Sequence, residues 1–159
     1  MDQRASEALL KLGEYREARQ QLETGLALAR QMGDDRSCAA ALNQLGVIAN
    51  SQGDRPQART HLEQGLALAR QAQDAAKTAL VLYNLGWLEM RQERLPIARA
   101  RFSESQAFYQ ALGNHHGLAR TLDGLGTLAC LQGEYQEAGT LYGQSLKLAR
   151  AAGNRLSEA

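Results

Sequence analysis

The sequence repeats itself every 40 residues, and this repetition constrains the fold more than any other feature. A Leu-Gly pair recurs in register at Leu45-Gly46, Leu85-Gly86 and Leu125-Gly126. Alanine recurs with the same period at Ala18, Ala58, Ala98 and Ala138. A fixed period of this length is typical of repeat proteins, in which each unit buries its apolar face against its neighbours.

We divide the chain into four units, approximately residues 1–37, 38–77, 78–117 and 118–159, and expect a single array. The first unit begins with a shortened first helix, in which Ala5-Ser6 stands where Leu-Gly is expected. The last five residues resemble the start of a fifth unit. We therefore expect the chain to be a piece of a longer protein.

Composition predicts an all-α fold. The 159 residues include 27 alanines and 26 leucines, but valine and isoleucine together number only 4. Alanine and leucine favour helices, whereas a β-sheet core needs many more β-branched residues.

The spacing of apolar residues predicts two helices in each unit. Leu42, Leu45 and Ala49 are spaced by 3 and 4 residues, which places them on one helical face, and Ala58 and Leu62 begin a second such stripe. Glycine fills most of the positions where a helix is expected to end, and these are Gly13, Gly53 and Gly133 within the units, with Glu93 as the exception, and Gly33, Gly113 and Gly153 after them, with Gln73 as the exception.

These features resemble the tetratricopeptide repeat: Leu-Gly in a first helix, glycine between the helices, then alanine with a large apolar residue four positions later. The period of 40 is longer than the common 34 and resembles the variant found in kinesin light chains and in the sensor arms of bacterial transcription regulators. The resemblance implies a right-handed α-solenoid of about four antiparallel helix pairs. It also implies a concave surface that binds a partner protein or an extended peptide.

The variable positions of the first helices predict which residues line that surface. Apolar columns recur from unit to unit, whereas positions 40, 43, 44, 47, 50 and 51 and their 40-residue echoes change identity. From this stripe we predict a partner-binding groove that includes Asn43, Gln44, Asn50, Tyr83, Asn84, Trp87, Met90, Arg91, Arg120 and Asp123. Aromatic and arginine anchors flanked by amides are typical of binding surfaces. Alternatively, Tyr83 and Trp87 fill space between adjacent helix pairs.

Charge and motifs exclude other functions. The net charge of +1 does not provide the basic surface that nucleic-acid binding needs. No apolar run approaches the ~20 residues of a membrane span, and no basic stretch followed by an apolar core reads as a signal peptide, so we expect a cytoplasmic protein. We expect neither a metal nor a cofactor. Gly124-Leu125-Gly126 resembles a dinucleotide motif but lies within a predicted helix.

Isolated histidines and cysteines do not indicate a reactive site. His115 and His116 are adjacent, which does not suit metal binding on one helix face, and His61 lies in a column that we interpret as exposed. Cys38 and Cys130 lie too far apart in the array to pair.

We therefore predict a non-enzymatic interaction module, the sensing or scaffolding arm of a larger bacterial regulator. The alternative is a receptor that holds a peptide or small molecule in a closed aromatic pocket. Leu141, Leu146 and Leu148 on the last helix predict self-association through uncapped terminal repeats.

Overall fold

The computed structural model describes the backbone of residues 3–157 and the side chains of residues 13–151. Every regular element in this part of the chain is an α-helix, and the seven are α1 Gln3–Met32, α2 Asp35–Ser51, α3 Arg55–Gln71, α4 Ala75–Arg91, α5 Leu95–Ala111, α6 His115–Leu131 and α7 Tyr135–Ser157. The all-α fold class predicted from composition and periodicity is confirmed.

The helices form two compact units, Met1–Ala72 and Gln73–Ala159. In the first unit, α2 packs against α1 and α3. In the second unit, α4 packs against α5, α5 against α6 and α6 against α7, and α4 also contacts α6. The antiparallel helix pairs expected from the repeat are therefore α2–α3, α4–α5 and α6–α7, and α1 precedes them.

The helices follow one another at a spacing of 20 residues because the same terminal residues recur. Helices α2 to α6 each contain 17 residues. The side chains of Asp34, Asp54, Asp74 and Asn114 each accept a hydrogen bond from the backbone N–H three residues later, at 2.9–3.0 Å. Such N-caps satisfy an N–H group that has no partner inside the helix.

In each link between a helix and the next, one residue has a left-handed backbone. At Gly53 φ is +84°, and at Gly133 φ is +79°. The equivalent residue in the α4–α5 link is Glu93, with φ +58°, and Gln73 likewise has φ +52°. Glycine adopts this conformation without the steric cost that a Cβ atom brings. Gln73 and Glu93, which replace glycine in these columns, therefore adopt the same left-handed conformation as the glycines.

Two of the predicted helix ends are wrong. Gly13 lies inside α1, which continues to Met32, and α7 continues through Gly153 to Ser157. Elsewhere, a helix end is stabilised by packing of the next helix, as where Gly117 at the start of α6 contacts the Tyr109 ring of α5. The segment before Gly13 lacks the Leu-Gly pair that seats a first helix on its partner. Continued i→i−4 hydrogen bonding satisfies the backbone there instead.

His61 is half-buried, which corrects its interpretation as an exposed position. Its Nδ1 atom is buried without a hydrogen-bond partner. Burial lowers the pKa of His61 below 6.5, and the nearby charge of Arg19 lowers it further; Glu23 and Asp54 raise it and Arg30 lowers it, with smaller effects than that of Arg19. The folded state therefore favours the neutral imidazole.

We predict that Glu93→Gly raises the free energy of unfolding by about 1 kcal/mol, because it removes the Cβ atom from a left-handed position. Gly133→Ala, at the equivalent turn, should lower it by about 1 kcal/mol, since no neighbouring atom lies within 4 Å of the added Cβ and only the backbone conformation opposes it. Thermal or urea unfolding followed by circular dichroism measures both effects. Glu93→Ala is the matched control, and stabilisation by this variant as well would assign the effect to charge.

We predict that His61 makes the fold less stable as the pH falls through and below 6.5. The unfolded chain takes up the proton at its ordinary pKa, whereas the folded chain resists protonation, so protonation favours unfolding. His61→Gln should therefore flatten the decrease in unfolding free energy between about pH 7 and pH 5. His116→Gln, at an exposed position, is the control, and equal pH profiles for wild type and His61→Gln would contradict the prediction.

Candidate functional site

An aromatic cluster on α4 and α5 organises the second unit. The ring of Phe102 is fully buried, and the rings of Tyr83 and Trp87 pack against it with centroid distances of 6.0 and 5.8 Å. Tyr83 and Trp87 lie one helical turn apart and meet edge to face at 6.3 Å. These separations and the tilted geometry are those that aromatic rings prefer.

Two glycines make room for the Phe102 ring. A Cβ atom placed on Gly86 of α4 would lie 2.6 Å from Phe102 Cε1, and one on Gly124 of α6 would lie 2.8 Å from the same atom. The ring therefore separates two helix backbones that approach it from either side. Because α4 and α6 both contact it, Phe102 fixes the spacing of the two helices that carry the predicted groove residues.

Arg120 of α6 completes this arrangement at the surface. Its guanidinium carbon lies 4.6 Å from the centroid of the Tyr83 ring, within the range of a cation–π interaction. Arg120 itself is exposed, whereas Tyr83 is half-buried. The planar guanidinium is thus held against an aromatic face while its N–H groups can reach a ligand.

The second unit brings six predicted groove residues to α4 and α6. We call this set the α4–α6 surface, and it consists of Tyr83, Asn84, Trp87, Arg91, Arg120 and Asp123. Arg91, Arg120 and Asp123 are exposed, and the other three are half-buried. The indole Nε1 of Trp87 is buried without a hydrogen-bond partner. A buried N–H donor of this kind is uncommon in folded proteins.

The other four predicted groove residues are not part of the α4–α6 surface. Met90 lies on α4 but is buried, and the other three lie on α2. Met90 is 7% exposed and packs in the Phe102 cluster, so it has a role in the core. Asn43 is also 7% exposed. Gln44 and Asn50 belong to α2 of the first unit, where Gln44 is exposed and Asn50 Oδ1 is buried without a hydrogen-bond partner.

The first unit has its own cavity beside Gln44. It has a volume of about 460 Å³ and lies between α1 and α2. Its apolar walls include Leu22, Val47 and Ile48, and Gln21 and Gln44 provide amide groups. Both sets of predicted residues therefore lie on first helices of the repeat pairs.

Sequence reasoning missed a buried ion pair at the end of α4. Glu89 is fully buried, and its Oε2 accepts a hydrogen bond of 2.6 Å from Arg94 Nε. Arg94 occupies the position at which Asp34, Asp54 and Asp74 cap their helices, and its side chain caps nothing. The sequence does show this ion pair as two replacements in the repeat. Glu89 stands where the neighbouring units have alanine, and Arg94 stands where Asp34, Asp54 and Asp74 cap the other helices.

The described residues form neither a cluster of metal ligands nor a helix that could span a membrane. Among them, no group of three or more histidine, cysteine, aspartate or glutamate side chains could hold a metal ion. Likewise, none of the helices described combines the length and apolar character needed to cross a lipid bilayer.

Comparison with known proteins identifies the repeat. The family model described as "Tetratricopeptide repeat" matches residues 3–71 and 75–151. No curated protein matches the sequence significantly.

Two crystal structures share the fold. BtubC (BKLC) from P. vanneervenii superposes with a TM-score of 0.77 at 22% identity, over 89% of this chain and 59% of BtubC. The apo form of RapI superposes with a TM-score of 0.63 at 13% identity, over 92% of this chain and 66% of RapI. The chain therefore spans less than two thirds of the length of either protein.

We predict that Gly86→Ala lowers the free energy of unfolding by about 2 kcal/mol, because the added methyl group displaces the Phe102 ring from a closely packed site. Gly25→Ala is the matched control, since a Cβ atom there meets nothing within 4 Å. That exposed helical site should gain about 0.5–1 kcal/mol. Denaturant unfolding followed by Trp87 emission measures both, and equal stabilities would contradict the proposed role of the glycine.

Proposed function

Since the chain belongs to the tetratricopeptide-repeat family, we propose that it is a non-enzymatic interaction module that binds a protein or peptide at the α4–α6 surface. Repeats of this family generally bind proteins or peptides. The observation that carries the proposal is the pairing of exposed Arg120 with the anchored rings of Tyr83 and Trp87.

The chemistry of this surface favours a particular kind of ligand. Arg120 presents a guanidinium whose orientation is restricted by the Tyr83 ring, so less conformational entropy is lost when it pairs with a carboxylate. Trp87 is half-buried and provides apolar contact area. Asn84 adds an amide, which can donate to and accept from a peptide backbone. The ligand is therefore a peptide segment with an acidic group next to an apolar side chain.

The cavity between α1 and α2 is a second candidate site for peptide contact. Gln44 stands at the edge of the cavity between α1 and α2, and Asn50 lies on the same helix. An apolar cavity with amide groups at its edge suits an apolar side chain attached to a peptide backbone. Asn43 and Met90 are not assigned to ligand contact, because their side chains are buried.

We place this module in the sensing or scaffolding arm of a larger bacterial regulator in the cytoplasm. The 40-residue period supports this context, as does structural similarity to proteins longer than this chain. The alternative is a receptor with a closed aromatic pocket for a peptide or small molecule. Tyr83 and Trp87 pack directly on Phe102, which favours an open surface over such a pocket.

A peptide selection tests the proposal. A library of random 12-residue peptides displayed on phage is selected on the full chain, and enriched peptides are then titrated while Trp87 emission is followed. Arg120→Ala should weaken binding by about tenfold, as expected for an arginine anchor worth roughly 1.4 kcal/mol. Arg55→Ala, which removes an exposed arginine from α3, is the matched control and should leave the affinity unchanged.

Trp87→Phe provides an independent test. It keeps an aromatic ring against Phe102 but removes apolar contact area, so binding should weaken several-fold. Because Trp87 is the chain's one tryptophan, isothermal titration calorimetry measures the affinities of this variant and of wild type, and circular dichroism checks that the variant remains folded. Selected peptides that bind the Arg120→Ala and Trp87→Phe variants as tightly as wild type would contradict the assignment of the α4–α6 surface. A selection without any enriched peptide would contradict peptide binding itself.

A further inference from the structure

A second cavity in the first unit lies between the end of α1, the first half of α2 and the second half of α3. Its volume of about 400 Å³ is within the range of small-molecule sites in proteins. It shares no lining residue with the cavity between α1 and α2 that was assigned above to a peptide. All of its lining residues belong to Met1–Ala72, so the cavity lies within one unit.

The most buried walls of this cavity are apolar. Cys38 and Leu42 of α2 are 3% and 1% exposed, and Leu68 of α3 is half-buried. Gly65 brings α3 close to α2 beside them, since a Cβ atom on this glycine would lie 3.4 Å from Leu42 Cβ. The packing of the α2–α3 pair therefore fixes these walls, and their surface suits an aliphatic group.

Two opposite charges line the same cavity. Arg30 is exposed in the last turn of α1, and Asp35 is half-buried in the first turn of α2. The neighbouring Asp34 uses its carboxylate to cap α2, by accepting a hydrogen bond from the backbone N–H of Ser37. Within the described part of the chain, the side chains of Arg30 and Asp35 form no ion pair and no hydrogen bond. Both charges are therefore available to a ligand.

The repeat itself does not require this pair of charges. The first helices that follow, α4 and α6, have Ala75 and His115 at the position of Asp35, and neither provides a carboxylate. At the position of Cys38, α6 has the larger side chain of Leu118. Residues that the repeated packing does not require are candidates for recognition of a ligand.

We propose that this cavity binds a free α-amino acid with a branched aliphatic side chain. Its carboxylate pairs with Arg30, its ammonium group pairs with Asp35, and its side chain lies against the apolar walls. The amide of Gln64, which also lines the cavity, can donate to the carboxylate or accept from the ammonium group.

The two opposite charges favour a free amino acid over other small ligands. A ligand with a single charge would leave either Arg30 or Asp35 unpaired. A longer peptide does not present both of its terminal charges to one small cavity, because each added residue moves them about 3.5 Å further apart. The site is independent of the α4–α6 surface, so either assignment can fail without the other.

An NMR titration of the isotope-labelled full chain with L-leucine, L-isoleucine and L-valine tests the proposal. The amide resonances of Gly33 and Cys38 should shift, whereas the indole resonance of Trp87 should not. The dissociation constant should lie in about the 0.1–1 mM range expected for so small a ligand. Binding of none of the three amino acids, or shifts at Trp87 in place of Gly33 and Cys38, would overturn the proposal.

Two analogues of leucine test the need for both charges. Isocaproate lacks the ammonium group and isoamylamine lacks the carboxylate, so each should bind about tenfold more weakly than leucine. An analogue that binds as tightly as leucine would contradict recognition of both charges.

Arg30→Gln and Asp35→Asn assign each charge to its partner. Each variant should weaken leucine binding about tenfold. Arg30→Gln should also bind leucine and isoamylamine equally, and Asp35→Asn should bind leucine and isocaproate equally. Arg70→Gln, at the position of α3 equivalent to Arg30 and outside the cavity, is the matched control and should bind leucine as wild type does. Unchanged preference in both charge variants would overturn the assignment.

Ala67→Leu tests the cavity itself. Ala67 is exposed and lines the cavity, so a leucine side chain there should occupy the space and abolish binding of the amino acid. Ala27→Leu makes the same change at the equivalent exposed position of α1, outside the cavity, and should leave binding unchanged. Circular dichroism checks that both variants remain folded. Retained binding in Ala67→Leu would place the ligand elsewhere and overturn the proposal.

Discussion

Contact between a large side chain on one helix and a glycine on its neighbour is the interaction on which each repeat pair depends. Leu62 lies against Gly46, Phe102 against Gly86 and Tyr142 against Gly126, with the same separation of 16 residues in each pair. At Gly46 and Gly86 a Cβ atom would approach its partner side chain to 2.6 Å. The glycine therefore sets how closely the two helices pack. At Phe102 the space is shared with α6, where Gly124 also lies against the ring.

Phe102 shows how this contact also creates the candidate site. Its ring is larger than the leucine at the equivalent position in the first unit, and a second glycine, Gly124, replaces the amide found at Gln44 and Asn84. The extra aromatic volume supports Tyr83 and Trp87 from below, which holds them half-exposed on α4. Arg120 then lies on Tyr83 at the surface. A packing requirement in the core thus determines the orientation of side chains that a ligand would meet.

The sequence predicted the helices well because their determinants are local and recur. Residues that end one helix and cap the next lie within three positions of each other, as at Gly53-Asp54 and Gly113-Asn114. Gln73 and Glu93 adopt the same left-handed backbone as the glycines at Gly33, Gly53, Gly113 and Gly133. The same reasoning was wrong at Gly13 and Gly153, where a glycine alone does not end a helix.

The candidate site was harder to predict, because helical periodicity separates two faces but does not resolve the boundary between them. Met90 and Trp87 lie three residues apart on the same stripe, yet Met90 is buried in the Phe102 cluster and Trp87 is half-exposed. Which of them reaches the surface depends on the bulk of Phe102, which comes from another helix. A position can therefore vary between repeat units for two different reasons. Its side chain adapts to a neighbour in the core, or it is exposed and contacts a ligand.

The buried pair of Glu89 and Arg94 illustrates the first of these. Both residues depart from their columns, and both departures are explained by one contact, since the carboxylate at the end of α4 binds the side chain that begins α5. Replacing either residue with the column's usual alanine or aspartate would remove this ion pair, and its loss costs more at the buried carboxylate than at the partly exposed guanidinium. Paired departures therefore indicate a structural contact within the unit. Residues in columns that change identity in every unit, such as Trp87 and Arg120, are better candidates for recognition of a partner.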